Sequence, residues 1–555
     1  MWNTPKPLSA MKARGLTLVE MLMATALTLI MFAAVAQIFG MMGASMRDAR
    51  ATIELSGNLR TVANTLQQDL DNISVDVLPW VQPGANQGYF EIIEGPDREV
   101  DFATLSVVPA VTDSGSMCGD ADDIICFTAY SKDQPFTGRI YGTLATRPAA
   151  NITPARPEKF YIDTSSGNFS TIESHYAEVV YFTKLTSADD RNLEATDTPD
   201  YRDATETVTL YRRVFLIRPD ILIGDSTGFT GLQTSNALSN AEARNYYDLS
   251  LRNGTGANNR WQTNSLEDLQ SRENRIGRAF VAATAFPHVF QPASLQTFEQ
   301  LNSSLGAGNL LNRTGEDVIL AKTLAFDVKV YDPRAVVLEE LSAGTIAVTP
   351  NDIGYNGTDA TNYSTTDYMT GTFVDLNWQS RANAVAGSGS VLGGTPTTKS
   401  MLNSVAVNSA SLYGTAPTTF AALQSSFPGI PSRLTPATPG VPAAAGAGPD
   451  LTLTYAYYDT WPFLYEMDGI DQDGDGVVDE GTNGFDDDGD GVVDDKYATD
   501  FNSDGDTSDA GEASELETSP PYTVPLRGVS VMIRAIEPAT RQVRQDTVVA
   551  DFIPE

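Results

Sequence analysis

The chain has few of the residues from which catalytic and metal sites are most often built. Only two histidines and two cysteines occur among its 555 residues. A zinc site needs three or four histidine, cysteine or carboxylate ligands at close spacing, and no histidine–cysteine cluster of that kind is present. The sequence also has no nucleophile elbow and no phosphate-binding glycine loop ahead of a helix. We therefore expect a protein that is not an enzyme.

Basic residues are scarce as well. The chain has 36 lysines and arginines against 71 acidic residues, and its net charge is −35. Nucleic acid is bound by a basic surface, so this balance excludes a nucleic-acid partner. The acidic residues are unevenly distributed, because residues 466–517 contain 20 of them with one lysine and so carry −19 of the total charge. That segment needs an explanation of its own.

A long apolar run lies near the amino terminus, behind a short basic leader that ends in Gly15. Glu20 is the only acid in the run, and the next charged residue is Arg47. About 28 residues form a helix of roughly 42 Å, which is long enough to cross a bilayer with some tilt. A carboxylate inside such a run costs on the order of 2.5–3.5 kcal/mol, so we expect Glu20 to have a partner.

The order of basic leader, Gly15, Leu16 and Glu20 resembles the processing signal of type IV prepilins and of the pseudopilins of type II secretion. The resemblance implies that a prepilin peptidase cleaves between Gly15 and Leu16 and methylates the new terminal amine. Leu16 stands where the family usually has phenylalanine. The resemblance also implies that Glu20, the fifth residue of the mature chain, neutralises the terminal amine of a neighbouring subunit during assembly.

Three other interpretations of the apolar run compete with this one. An ordinary membrane anchor explains the run but not the spacing of Gly15 and Glu20. A cleaved secretory signal fits the small residues 34–36 before Gln37, although the run is longer than a usual signal core and contains an acid. A buried core helix disagrees with an uninterrupted run near the terminus. The first residue of the mature protein distinguishes these possibilities.

The helical pattern continues beyond the apolar run. Apolar residues recur at three- and four-residue spacing, and no proline interrupts residues 47–72. We therefore predict one helix over residues 16–75, with an amphipathic second half that packs on a sheet. The segments that follow are short, aromatic and β-branched, with connections too short for parallel crossovers. The sequence thus predicts an α+β fold, in which a long amino-terminal helix packs on a mostly antiparallel β-sheet head with large loop insertions.

This order of elements is similar to that of minor pilins of the PilW type and minor pseudopilins of the GspJ type, which implies a pilin-like fold.

Apolar and polar side chains alternate over residues 324–333, which should form a strand that ends in a turn at Pro333. Alternation over residues 526–549 predicts a closing hairpin that completes the sheet begun at Tyr89. The predicted segments are the leader 1–15, the helix 16–75, the first part of the head 76–220, an insertion 221–315, a head strand 316–340, polar low-complexity loops 341–450, a head strand 451–465, the acidic repeat 466–517 and the hairpin 518–555.

The two cysteines, Cys118 and Cys126, flank a small polar loop. An oxidising compartment outside the cytoplasm favours a disulfide between them, although a short loop gives limited stabilisation. The alternative is a pair of thiols, one in the loop and one buried in the strand that follows.

The acidic segment contains a repeat of fifteen residues. Residues 471–480 recur as 486–495, and residues 500–506 form a looser third copy. Carboxylates at loop positions one, three and five, glycine at six, a backbone carbonyl at seven and an acid at nine are the ligand pattern of a Ca²⁺ loop. The predicted ligands are Asp471, Asp473, Asp475, Val477 and Asp479, then Asp486, Asp488, Asp490, Val492 and Asp494, and in the looser copy Asp500, Asn502 and Asp504.

These loops depart from an EF-hand at the twelfth position, where Thr482 and Tyr497 replace the bidentate glutamate. They are more similar to the Ca²⁺ repeats of thrombospondin type 3 and of dockerin-like modules, which are extracellular. The missing ligand predicts a weak dissociation constant, on the order of 10⁻⁴–10⁻³ M. The alternative is a solvated acidic loop that binds no metal.

These observations predict a minor pilin or pseudopilin. Its partners are then a prepilin peptidase and other pilin or pseudopilin subunits. The chain would cross the inner membrane once with its head in the periplasm, and would later enter a type IV pilus or a type II secretion pseudopilus, near the tip because the head is bulky. The alternative is a membrane-anchored, calcium-dependent protein that binds a surface or a secreted substrate.

Overall fold

The structure is a computed structural model. It describes residues 17–77, 80–81, 87–94, 100–101, 106–107, 120–121, 123–146, 159–164, 167–185, 207–223, 240–253, 261–270, 274–277, 295–305, 313–339, 347–349, 369–376, 456–462, 526–537, 540 and 542–552.

A single long helix, α1, runs from Leu18 to Asp71. Its 54 residues correspond to a length of about 80 Å. The helix begins after Thr17 and ends at Asn72, whose N–H donates to carbonyls of the last turn. The prediction of one uninterrupted helix is confirmed, with both ends inside the predicted range of 16–75. Two short helices follow later in the chain, α2 (Asn240–Tyr246) and α3 (Phe298–Leu305).

The strands are short except near the end of the chain. In order they are β1 (Trp80–Val81), β2 (Phe90–Glu94), β3 (Val100–Asp101), β4 (Ser106–Val107), β5 (Ile124–Tyr130), β6 (Phe136–Tyr141), β7 (Thr143–Thr146), β8 (Phe160–Asp163), β9 (Phe169–Ser174), β10 (Tyr176–Leu185), β11 (Val208–Leu216), β12 (Ile221–Leu222), β13 (Leu251–Asn253), β14 (Trp261–Thr263), β15 (Val318–Glu339), β16 (Ala347–Val348), β17 (Met369–Val374), β18 (Ala456–Asp459), β19 (Trp461–Pro462), β20 (Gly528–Glu537) and β21 (Gln542–Asp551).

Ten of these strands form one sheet. Eight of them lie in the order β18-β2-β5-β10-β11-β15-β20-β21, while β16 and β17 also pair with β15. Every pairing within this sheet is antiparallel. The closing hairpin β20–β21 belongs to the same sheet as β2, as the alternation predicted. An α+β architecture with a mostly antiparallel sheet is therefore confirmed.

The prediction that a strand ends at Pro333 is wrong. Strand β15 is 22 residues long and continues through Pro333 to Glu339. Its register with β17 shifts between Asp332 and Val336, so the proline lies in a β-bulge. A bulge leaves a residue outside the hydrogen-bond ladder, and the missing N–H of proline therefore breaks no ladder bond.

The prediction of loops over residues 341–450 is also wrong in two places. Strand β16, Ala347–Val348, lies inside that segment and pairs with the end of β15. Strand β17, Met369–Val374, lies inside that segment and pairs with β15 in the main sheet. Gly371 has a φ of +99° and lies where a Cβ would be 2.5 Å from the Tyr331 hydroxyl oxygen, so this strand requires glycine at that position.

The second half of α1 packs against β15, β20 and β21. Buried residues recur along one face of the helix at Leu55, Leu59, Val62, Leu66 and Leu70. They belong to one core cluster with alternating residues of β15 and β20, such as Phe326, Val328, Val531 and Ile533. The 3.6-residue period of the helix and the two-residue period of the strands thus bring their apolar faces together.

A buried ion pair fixes the last turn of α1 to the middle of the sheet. The Asp69 carboxylate accepts two hydrogen bonds from the Arg212 guanidinium, at 2.6 and 2.9 Å, and one from the Tyr181 hydroxyl at 2.5 Å. Burial, followed by the Asp69 charge, raises the pKa of Tyr181 well above its usual value, so this hydroxyl stays a donor. The anchor joins the helix to both β10 and β11.

Candidate functional site

The amino end of α1 contains the residues that the sequence predicted for processing and assembly. Gly15 and Leu16 lie outside the described residues. Glu20 is described and is exposed to solvent. Its carboxylate accepts hydrogen bonds from the Thr17 N–H at 2.8 Å and from the Thr17 hydroxyl at 3.0 Å, while the Glu20 N–H donates to the Thr17 hydroxyl oxygen at 3.3 Å. The partner of Glu20 within the chain is therefore Thr17.

This arrangement is a capping box, in which two residues satisfy the free N–H groups at a helix start. The spacing Thr17-x-x-Glu20 was its sequence signal, and our sequence analysis missed it. A capping box lets the carboxylate lie in the first turn of an apolar helix with one of its oxygens, Oε2, hydrogen-bonded twice. The cost of the charge in lipid is reduced accordingly.

The first half of α1 is apolar and exposed on all sides. Phe32, Phe39 and Met46 are 69, 68 and 71 % exposed. Among the described residues, α1 is the one helix that is long and apolar enough to cross a membrane. Composition and length favour a membrane anchor or a signal sequence, and they do not distinguish the two.

The predicted Ca²⁺ ligands, residues 471–504, lie outside the described residues. The same holds for Cys118. Cys126 lies in β5 and is fully buried. The Ca²⁺ loops and the disulfide therefore remain predictions.

The described structure contains a group of acidic side chains that the sequence did not indicate. Glu94, at the end of β2, lies beside Asp120 and Asp123, which precede β5. One carboxylate oxygen from each residue lies within 4.8 Å of the other two, and all three residues are buried. We call this group the acidic triad. Oxygen ligands at such distances suit a hard divalent cation, and they do not distinguish Ca²⁺ from Mg²⁺.

Strand pairing explains how the triad is assembled. Ile93 pairs with Ile124, so Glu94 and Asp123 follow as neighbours at the same end of β2 and β5. The Asp123 carboxylate accepts a hydrogen bond from the Val328 N–H at 2.6 Å, and the Asp120 carbonyl accepts one from the Phe326 N–H at 2.8 Å. The middle of β15 therefore holds Asp120 and Asp123 in place.

A lysine compensates part of the acidic charge next to the triad. The Glu94 carboxylate accepts a hydrogen bond from the Leu376 N–H at 3.3 Å. The neighbouring Asp375 forms an ion pair with Lys329 at 3.7 Å, and Lys329 also contacts Asp327. This region therefore contains several buried carboxylates and one described cation, Lys329. Charges buried in this way are stable only when they are paired, protonated or bound to a metal.

Another buried carboxylate, Glu178 of β10, has a different environment. It accepts hydrogen bonds from the Tyr89 hydroxyl at 2.7 Å, the Ser250 hydroxyl at 2.7 Å and the Ile276 N–H at 2.8 Å. Burial raises the pKa of Glu178, and these donors oppose that shift. Because the donors come from separate segments, Glu178 holds the region around residues 250 and 276 on the sheet, and we interpret it as structural.

No protein-family model, curated protein or solved structure matched this chain in our comparisons.

Proposed function

We propose that the chain is a minor pilin or pseudopilin, processed by a prepilin peptidase and assembled into a type IV pilus or a type II secretion pseudopilus, near the tip. One observation carries the proposal. A single unbroken helix begins two residues after Leu16 of the processing motif, is apolar and exposed in its first half, and packs on an antiparallel sheet in its second half. Such a helix supports a membrane-bound state with a folded head beside the membrane.

The capping box supports the role of Glu20 in this proposal. Before cleavage, the carboxylate is satisfied by uncharged donors of Thr17. After cleavage, a neighbouring subunit would offer the terminal amine of its own Leu16. In the bonds from Thr17 only the acceptor is charged, whereas the terminal amine is itself charged and would form an ion pair with the carboxylate, so the amine competes well with Thr17.

Mass spectrometry of the amino terminus tests the processing step. We expect the mature chain, isolated from membranes, to begin with N-methylated Leu16. Gly15→Leu should block cleavage and leave the leader attached. Gly40→Leu is a matched control, because a side chain at position 40 meets no neighbouring atom in the described structure and lies far from the cleavage point. A mature chain that begins at Gln37 would show a secretory signal instead and would contradict the proposal.

A substitution of Glu20 tests the assembly step. Glu20→Ala should leave cleavage at Gly15 intact and abolish incorporation into the filament, measured by the amount of chain in sheared surface fractions. Asp71→Ala is the matched control, because it removes an exposed carboxylate at the other end of the same helix. Normal incorporation of the Glu20→Ala chain would refute an assembly role for this carboxylate.

The fifteen-residue acidic repeat favours a second function, a membrane-anchored head that binds a surface or a substrate with the help of Ca²⁺. Calorimetry of the full chain should show a higher melting temperature with Ca²⁺ than with a chelator, since so many like charges repel one another without the cation. Asp475→Asn with Asp490→Asn should remove the difference, and Glu512→Gln, outside the predicted ligands, should preserve it. Identical melting with and without the chelator would exclude a structural metal.

A further inference from the structure

An exposed aromatic pair lies beside the carboxyl end of α1, at the opposite end of this helix from its apolar half. Outside α1, the exposed aromatic side chains of the described residues are Tyr130 and Tyr176, at 38 and 36 %. They are direct cross-strand partners on β5 and β10. The Tyr130 N–H donates to the carbonyl of Asn72, the residue that ends α1, which places the pair about 80 Å along the helix from Leu18.

The two rings lie against each other at an angle, and their outer parts form a small exposed aromatic surface. Their centroids are 4.7 Å apart and their planes are 35° from parallel. The imidazole of His175 lies beside Tyr130, with ring centroids 6.3 Å apart. Its Nδ1 is 2.7 Å from the Ser131 carbonyl oxygen, which can only accept, so Nδ1 carries the proton and the ring is fixed in orientation.

Polar side chains border this surface. Residues 131–135 form a turn directly after Tyr130, closed by a hydrogen bond from the Ser131 hydroxyl to the Gln134 carbonyl at 2.6 Å. The turn exposes the side chains of Lys132, Asp133 and Gln134. Within the described residues, Lys132 and Asp133 take part in no ion pair and in no side-chain hydrogen bond. An amine and a carboxylate are therefore available directly after Tyr130, beside the exposed aromatic surface.

We propose that Tyr130, Tyr176 and the turn 131–135 bind a neutral, β-linked glycan. A β-linked pyranose has a flat C–H face that packs on an aromatic ring, while its equatorial hydroxyls point sideways to polar groups such as those of the turn. The net charge of −35 disfavours acidic sugars, phosphates and nucleic acid by long-range repulsion. A cross-strand tyrosine pair also stabilises the β5–β10 ladder, so the test must separate ring stacking from folding.

The experiment uses the full chain in micelles of a detergent without a sugar headgroup. Cellohexaose and N-acetylated chitohexaose are the neutral probes, and a hyaluronan hexasaccharide is the acidic comparison. Saturation-transfer NMR should show transfer to a neutral probe and none to hyaluronan. Tyr130→Phe with Tyr176→Phe should retain the transfer, since the rings remain. Tyr130→Leu with Tyr176→Leu keeps apolar bulk without a flat ring and should weaken binding by about tenfold or more.

Val549→Ala, a change at an exposed apolar residue of β21, is the control and should bind like the unchanged chain. Thermal melting of each variant shows whether the head is folded. Absence of transfer to both neutral probes, or transfer that persists at full strength in the folded double leucine variant, would overturn the proposal. This site does not depend on filament assembly, so the outcome is independent of the Glu20 experiment.

Discussion

The two halves of α1 differ in apolar content and have opposite surroundings: 22 of the 29 residues from Leu18 to Met46 are apolar, against 9 of the 25 from Arg47 to Asp71. From Leu18 to Met46 the apolar residues occupy every side of the helix and are exposed. From Leu55 to Leu70 they occupy one face and are buried against the sheet. The number of apolar residues and their arrangement around the axis therefore act together. A few apolar residues in a one-sided stripe fit a sheet, and many on every side fit lipid or other apolar helices.

The largest difference in stability effect between the halves should come from the buried ion pair of Asp69 and Arg212, at the end of the packed half. Asp69→Ala leaves the Arg212 guanidinium and the Tyr181 hydroxyl without their carboxylate in a mostly buried site. We expect the free energy of unfolding to fall by about 3–5 kcal/mol, measured by urea denaturation of the full chain in detergent. Asp71→Ala, two residues away and exposed, should change it by less than about 0.5 kcal/mol. Equal effects would mean that the ion pair does not hold the helix.

A second prediction compares one leucine from each half. Leu66 is fully buried and Leu29 is 69 % exposed. Leu66→Ala should lower the free energy of unfolding by about 2–4 kcal/mol, because a cavity remains under the helix. Leu29→Ala should change it by less than about 0.5 kcal/mol, since detergent covers an alanine at position 29 as well as it covers a leucine. The same urea denaturation measures both, and a cost of several kcal/mol for Leu29 would show that a protein surface covers the first half.

The smallest effect is expected where the two halves meet. Arg50 and Glu54 form an ion pair at 2.7 Å, but their side chains are 81 and 60 % exposed. Arg50→Ala should cost at most about 0.5 kcal/mol at low salt, and about 1 M salt should remove even that difference, because exposed charges are screened. Melting temperatures of the two chains at low and high salt provide the check. A large effect that survives high salt would indicate a buried partner.

The sequence predicted those parts of the fold that rest on local periodicity. The spacing of Leu59, Val62 and Leu66 predicted the packed face of α1, and the alternation of Val529 and Val531 predicted β20. The continuation of β15 through Pro333 was missed, because a bulge that tolerates proline has no local signal. In each case the outcome depended on whether the relevant contacts lie close in sequence.

The candidate sites depend even more on contacts between residues that are distant in sequence. The capping box of Thr17 and Glu20 spans four residues and was available to sequence reasoning. The acidic triad was not, because Glu94 meets Asp120 and Asp123 only through the pairing of β2 with β5 and the support of β15. The Asp69–Arg212 pair joins residues 143 positions apart and has no sequence signature. Side chains that converge from distant strands require the register, and the register is a tertiary property.

The packing of α1 on the closing hairpin also has a consequence for the order in which parts of the chain fold during synthesis. Thr52 contacts Gln542, a separation of 490 residues. At a synthesis rate of 5–20 residues per second, the apolar face from Leu55 to Leu70 waits roughly 25–100 s before β20 and β21 exist. During that interval the helix cannot complete its core, although the strands β5, β10 and β11 can already pair with one another. The core under α1 is therefore completed late, when β20 and β21 close the sheet on the element that was made first.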